Sequence, residues 1–215
     1  MSVWPGEIQV KGLGMAIDVL NEEGESVKNI QGELVCKNNF PSQPIGFWND
    51  QNNEKYFESY YSKYKNIWHH GDFAEQTNNF GIKIFGRSDT TLNPRGIRIG
   101  TSEIYRQIQQ FDEILDSLVV SHEQKNDQRI ILFVKLSKDK LLDSNLIKKY
   151  KRHIKKNTTS NHVPKLIIQA PDIPRTKSGK LSEMSVKKAI NNQKVTNIQS
   201  LENPLSIEFF QSLEL

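Results

Sequence analysis

The residue best placed for chemistry is Lys180, which closes the turn RTKSGK at 175–180, behind Pro171 and Pro174. A lysine next to a glycine on a turn holds its ammonium out where it can swing toward a centre of negative charge. The segment is not a triphosphate-binding loop. That motif places a glycine well upstream and Ser or Thr directly after the lysine, whereas Arg175 and Thr176 stand at the first glycine's place and Leu181 follows Lys180.

A second candidate is GRSDTTLNPRGIRIGTSEIY at 86–105, where Arg87, Arg95 and Arg98 are interleaved with Gly86, Gly96 and Gly100. Glycine lets backbone approach a ligand, and arginine offers a fixed fork of donors suited to phosphate oxygens. The stretch reads either as an anion-binding loop entering a helix or as an ordinary solvated loop.

The third is HHGDFAE at 69–75. Neighbouring side chains on a strand point apart and no further Cys or His follows at ligand spacing, so a metal site is not expected at His69 and His70. Asp72 is the more useful group: a carboxylate after a glycine can accept two hydrogen bonds from a sugar diol, or it can serve the turn itself. The lone cysteine, Cys36, cannot form an internal disulfide and lies in the apolar run GELVCK, where it is expected to be a small buried hydrophobe.

The elements that must hold these groups can be read from periodicity. Residues 7–12, 15–20 and 32–37 are short alternating segments that predict a small β-meander. The aromatic stretch from Phe40 to Trp68 predicts a helix whose Tyr56, Phe57, Tyr60 and Tyr61 line one side and pack in a core. FGIKIFG (80–86) reads as a strand, and the turn-rich segment 87–100 marks a domain boundary. Beyond it, Thr101 is expected to cap a helix carrying Ile104, Ile108 and Phe111, followed by strands at 115–120 and 129–136. A helix from Asp143 or Ser144 turns Leu146, Ile147, Tyr150 and Ile154 inward and leaves Lys148, Lys149, Lys151, Arg152, Lys155 and Lys156 largely outward. A strand at 165–170 and a last helix from Ser182, with Met184, Val186 and Ile190, complete an α+β module. The polar stretch 191–203 is expected to be loosely held.

Composition narrows the function. The 215 residues carry 29 Lys and Arg against 25 Asp and Glu, a net charge of +4 that suits anionic partners. No apolar run is long enough to cross a bilayer, and MSVWPGEIQV has the features of neither a secretory nor a mitochondrial leader, so a cytosolic location is the expectation. A nucleic-acid-binding domain is disfavoured, because the aromatics concentrate in 40–68 away from the basic helix and no helix-turn-helix, zinc-finger or ribonucleoprotein pattern appears.

Taken in order, the three segments resemble the late signature motifs of the acyl-adenylate-forming superfamily, which includes acyl-CoA synthetases, firefly luciferase and peptide-synthetase adenylation domains. HHGDFAE is similar to the motif whose aspartate binds the ribose of ATP, the 86–105 segment to the hinge motif, and IPRTKSGK to the final motif with its catalytic lysine. The resemblance implies Lys180 as catalytic, Asp72 and Arg87 as nucleotide-ribose contacts, Arg98 as a phosphate or nucleotide contact, and Asp89 as the hinge. It also implies Arg95 and Gly96 at the pantetheine tunnel of CoA. The basic face with Lys151, Arg152 and Lys155 is then either a partner for the CoA 3′-phosphate or merely a solvated lysine face.

The wording of GEIQVKGLGMAIDVLNEEG, SDTTLNPRGIRIGTSEIY and VPKLIIQAPDIPRTKSGKLSEMSVKKAI is similar to the branch of this superfamily that activates acetoacetate. Two positions depart from the broader pattern in the manner of that branch: Tyr105 replaces an acidic residue, and LSEMSVKK replaces a basic continuation after Lys180. The implied fold is α+β, with 1–88 as the end of a large AMP-binding N-terminal domain and 89–215 as the small C-terminal domain with an extension. The implied reaction joins acetoacetate to CoA at the expense of ATP, with Mg2+ carried by ATP and not bound by this chain. The superfamily's phosphate loop and acid-binding motifs precede Met1, so this chain alone is expected to be inactive.

Overall fold

Each of the units Met1–Ser88 and Asp89–Leu215 is organised around its own sheet in the computed structural model, which describes residues 2–124 and 127–215. In the first, β1 (Ile17–Leu20), β2 (Gln31–Cys36), β3 (Trp68–Gln76) and β4 (Ile82–Arg87) form an antiparallel meander in chain order. Of the three strands expected before residue 40, 15–20 and 32–37 correspond to β1 and β2. Segment 7–12 does not form a strand. It contributes a single bridge, Ile8 to Ile82, because Ile8 and Val10 remain about half exposed and the alternation has no buried face to hold a ladder.

Helix α1 (Glu54–Tyr61), which follows β2 and precedes β3 in the chain, packs on β3. Tyr56, Tyr60 and Tyr61 join Phe40, Cys36 and Trp68 in one cluster, with Tyr60 stacked on Trp68 at 3.7 Å between ring centroids. Phe57 departs from the expectation and is 56% exposed, resting against the rims of Tyr56 and Tyr61. Residues 56, 57, 60 and 61 span about 140° of helix at 3.6 residues per turn, which is wider than the face that is covered. Cys36 is buried, as its apolar surroundings suggest.

In the second unit, β5 (Ile114–Gln124) pairs antiparallel with β6 (Asp127–Leu136), and β7 (Leu166–Gln169) pairs parallel to β6. The parallel return is made through helix α3 (Ser144–Asn157). Strict alternation splits β5 and β6 between two cores. Leu118, Val120, Ile131 and Phe133 face helices α4 (Glu183–Ile190) and α5 (Ser206–Gln211), while Val119, Ile130, Leu132 and Val134 face α2 (Thr101–Ile108) and α3.

Helix α3 starts as expected, with the Asp143 carboxylate accepting from the amides of Asn145 and Leu146. Thr101 does not cap α2. Gly100 occupies the cap position and Thr101 is the first helical residue, buried, with its hydroxyl spent on Glu183. Phe111 falls beyond the end of α2 and packs on Tyr150 with ring centroids 4.7 Å apart. The helix from Ser182 is not the last, since α5 follows and buries Ile207 and Phe210; six residues are too few to display a helical period. Nor is 191–203 loose throughout. Val195 and Leu201 are buried in the α4–α5 core, and Leu201 bridges to Thr176.

Candidate functional site

The turn that carries Lys180 is built from its own backbone and then clamped from outside. Thr176 N–H donates to the Lys180 carbonyl at 2.8 Å, Gly179 N–H to the Thr176 carbonyl at 2.7 Å, and Lys180 N–H to Thr176 Oγ1 at 3.2 Å. Gly179 sits at φ +81°, a left-handed conformation that side chains disfavour. The outer clamp is Arg175. Its Nε and Nη2 grip the two oxygens of Asp116 on β5 at 2.9 and 2.8 Å, and its Nη1 donates to the Gly179 carbonyl at 2.6 Å. Lys180 is exposed at the end of this hydrogen-bonded turn, so its backbone is held while its side chain stands in solvent.

Arg175 was noted in the sequence only as a mismatch to a phosphate loop. Its role was hidden because Asp116 lies 59 residues away. Glu183 was missed as well: in the first turn of α4 it reads as an ordinary helix-dipole residue. The structure instead places its Oε1 2.5 Å from the Tyr105 hydroxyl, with Thr90 and Thr101 hydroxyls also donating to the carboxylate. Burial, followed by the nearby Asp89 charge, pushes the Glu183 carboxyl above its ordinary range, although the three hydroxyls pull the other way.

Segment 92–99 is pinned at its base. Leu92 and Ile99, both buried, exchange backbone hydrogen bonds of 2.9 and 2.8 Å. Between them Arg95 (φ 55°) and Gly96 (φ 77°) are both left-handed. A Cβ at Gly96 would meet nothing within 4 Å, so glycine serves the backbone torsion there and not the space. Arg95, Gly96 and Arg98 are exposed.

Arg95 borders a groove of about 470 Å3 whose other charged walls are Arg129, Lys151 and Lys165, with Gln124 and Gln128 beside them. Lys151 Nζ donates to the Lys165 carbonyl at 2.7 Å, and burial together with the Lys165 charge holds its ammonium below the usual range. Arg129 Nε donates to His122 Nδ1 at 3.1 Å, while its Nη2 is buried and meets no acceptor among the described residues. Lys155 is exposed one turn further along α3 and does not line the groove. Arg152 turns to a different surface, with Phe111, Lys148, Lys149 and Lys156. The basic face of α3 is therefore divided between two surfaces.

In the first unit, Asp72 and Arg87 are cross-strand partners on β3 and β4. Asp72 Oδ1 lies 3.4 Å from Arg87 Nη1, and Asp72 Oδ2 lies 3.4 Å from His70 Nδ1. Arg87 also donates to the His70 carbonyl. Gly71 (φ +79°) makes room for this arrangement, because a Cβ there would stand 2.8 Å from Arg87 Nη2. His69 turns away to Glu33, and no group of three His, Cys, Asp or Glu side chains able to hold a metal occurs among the described residues.

Asp89 is exposed in the turn after β4, and its carbonyl accepts from Lys187 Nζ at 3.2 Å. Within its unit, then, Asp72 meets Arg87. In the other unit Arg95 meets Lys151, whereas Gly96, Arg98, Lys155 and Lys180 stand outside the groove.

No protein-family model matches the chain. Curated relatives do. It is 47% identical over 212 residues to acetoacetyl-coenzyme A synthetase of Rhizobium meliloti, covering 99% of this chain and 33% of that protein. It is 43% identical to acetoacetyl-CoA synthetase of Xenopus tropicalis, covering 98% of this chain and 32% of the relative. Among solved structures, acetoacetyl-CoA synthetase from Streptomyces lividans superposes with a TM-score of 0.90 at 36% identity, over 96% of this chain and 31% of that one. A benzoate CoA ligase from Burkholderia xenovorans shares the fold, with a TM-score of 0.70 at 22% identity over 86% of this chain and 36% of that one. The chain spans about a third of the length of the curated relatives it matches.

Proposed function

The chain is a relative of the acetoacetyl-CoA synthetases, matching about a third of their length, and on that footing we propose that it serves an acetoacetate–CoA ligase. The reaction converts ATP, acetoacetate and CoA into AMP, diphosphate and acetoacetyl-CoA through an acyl-adenylate. The groups assigned here act on the nucleotide and on CoA, and the chain alone is inactive. The observation that carries this reading is the clamped turn that fixes the Cα of Lys180 while leaving its ammonium free to reach.

Attack of a carboxylate on the α-phosphorus brings like charges together as charge builds on the phosphoryl oxygens. In this reading the Lys180 ammonium offsets that repulsion, Asp72 accepts from the ribose hydroxyls with Arg87 holding it in place, and Arg98 contacts the phosphates. Mg2+ accompanies ATP and neutralises part of its phosphate charge. Diphosphate then leaves, and the CoA thiol must arrive where the lysine had been, which requires a swing about Asp89.

The groove suits the phosphates of CoA: it presents four cations, and one of them has a buried Nη2 in want of an acceptor. The left-handed backbone at Arg95 and Gly96 would lie against the pantetheine arm. Lys155 extends the same positive row along α3.

Lys180→Ala in the complete ligase is expected to slow adenylate formation roughly a hundredfold to a thousandfold, the loss of one preorganised charge worth about 2.7–4 kcal/mol. Thioester formation from supplied acetoacetyl-adenylate should be spared. Equal loss of both half-reactions would remove Lys180 from this role. The groove also supports a second reading, in which the chain by itself binds CoA or a nucleotide without turnover. The native mass of the protein in its source, assayed for acetoacetate-dependent release of AMP from ATP, distinguishes the two. A longer active protein supports the ligase, and an inactive one of 24.8 kDa the second reading.

A further inference from the structure

Tyr105 and Glu183 are the two regions in which the sequence departs from the wider superfamily pattern, and the fold brings them together although 78 residues separate them. Tyr105 does not merely fill space. Its hydroxyl accepts from the Val119 amide on β5 at 2.9 Å and donates to Glu183 at 2.5 Å, linking the sheet to α4 through α2. The other two donors to the carboxylate are Thr101, at the start of α2, and Thr90, directly after Asp89, both buried. One helical turn along α4, Lys187 donates to the Asp89 carbonyl. Residues four apart share a helix face, so α4 holds the chain at Asp89 and at Thr90 with one stripe of side chains.

The two contacts differ in kind. The direction of the Asp89 carbonyl depends on the backbone torsion of Asp89 itself, so Lys187 reads the conformation of that residue. The Thr90 side chain lies beyond that torsion, and Glu183 holds it whichever way the Asp89 carbonyl points. Glu183 also begins the helix that follows the Lys180 turn by three residues.

We propose that Glu183 is a positioning residue that ties Thr90 and α2 to α4, making residues from Thr90 onward and the Lys180 turn one rigid body and confining any pivot to the backbone at Asp89. The idea rests on the reading of Lys180 and Asp89 given above. It assigns no chemistry to Glu183. A carboxylate held by three hydroxyls suits the task, since Thr90 after the Asp89 turn and Thr101 and Tyr105 on α2 must converge on one anion and cannot do so if the two segments shift.

The first test is hydrogen–deuterium exchange on the 215-residue chain, comparing residues 89–95 with α5 as an internal reference. Glu183→Ala should speed exchange in 89–95 by about tenfold or more and leave α5 unaltered, because the opening is local. Glu183→Gln keeps a carbonyl acceptor and should restore most of the protection, and Lys187→Ala should affect only the residues next to Asp89. A uniform rise across both regions, or no change, overturns the proposal.

In the complete ligase, Glu183→Ala should lower kcat of both half-reactions about tenfold while KM for ATP and CoA stays unchanged, since the misplaced body carries groups for both steps. Loss confined to adenylate formation would make Glu183 a local support of Lys180 and overturn the rigid-body assignment. Lys180→Ala measured in parallel separates the two ideas: if it leaves adenylation intact the catalytic reading fails, while the exchange result still decides whether Glu183 ties Thr90 to α4.

Discussion

Residues 89–215 cover their sheet on both faces, whereas residues 2–88 leave much apolar surface in water. In the first unit Leu13 and Ile45 are fully exposed, Trp48 is 93% exposed, and Val3, Trp4, Ile8 and Phe80 are about half exposed or more. In the second, the exposed large apolar residues are Ile97, Leu115, Leu141 and Leu205, scattered over separate elements. The cores differ in the same sense. Two extensive clusters sandwich β5 and β6, while the first unit divides its buried residues among three small ones. The second unit therefore has the larger core of its own, and the first leaves more of its apolar side chains outside any core.

The most direct way to break this comparison is to remove one large side chain from each unit. Phe133 is fully buried, and Phe133→Ala should cost about 3–5 kcal/mol in denaturant unfolding of 89–215. Trp48→Ala should change the stability of this chain by no more than about 0.5 kcal/mol. Comparable losses at the two sites would contradict the claim that the second unit has the larger core of its own.

A smaller contrast lies between two of the left-handed glycines, Gly71 and Gly96. Gly71→Ala should cost roughly 1–2 kcal/mol from the torsion alone, with a further loss because the new Cβ displaces Arg87 and with it the partner of Asp72. Gly96→Ala meets no neighbour and should cost only the torsional part. Thermal unfolding of both variants, with ATP affinity measured in the complete ligase, would show Gly71→Ala as the worse on both counts.

The smallest effect is on pH dependence, where Glu183 of the second unit and Asp18 of the first carry opposite signs. Glu183, facing Tyr105, Thr90, Thr101 and Asp89, has its folded pKa raised above the ordinary 4.5, so its contribution is fully present below that value and is lost as pH rises through the folded pKa. For Asp18, burial acts to raise the pKa, but hydrogen bonds from Lys37, Ser26 and the Val19 amide prevail and lower it from 3.8; its contribution is lost as pH falls. Glu183→Gln should flatten the stability profile of 89–215 just above pH 4.5 by at most about 1.4 kcal/mol per pH unit. A profile unchanged by the substitution would mean the carboxyl titrates normally.

Much of the fold was legible because it is local. The apolar segments LDSLVV and RIILFVKL marked both strands, though not which residues face which core, and Asp143 ahead of an amphipathic run marked the start of α3. Segment 7–12 had alternation too, yet formed one bridge, because a period of two states only which residues could share a face and not whether anything covers it. Val195 and Leu201 were passed over in a polar stretch for the converse reason: two anchors six residues apart make no period.

The sequence by itself determined the candidate groups and their order, from Asp72 and Arg87 through Arg95 and Arg98 to Lys180, because residue type and spacing are written along the chain. Only the tertiary structure decided what holds them. Arg175 reaches Asp116 across 59 residues, Tyr105 reaches Glu183 across 78, and Arg95 shares a groove with Arg129, Lys151 and Lys165. Such partnerships depend on which segments the buried sheet brings side by side, and a charged or hydroxyl side chain carries no local mark of the distant group that will satisfy it.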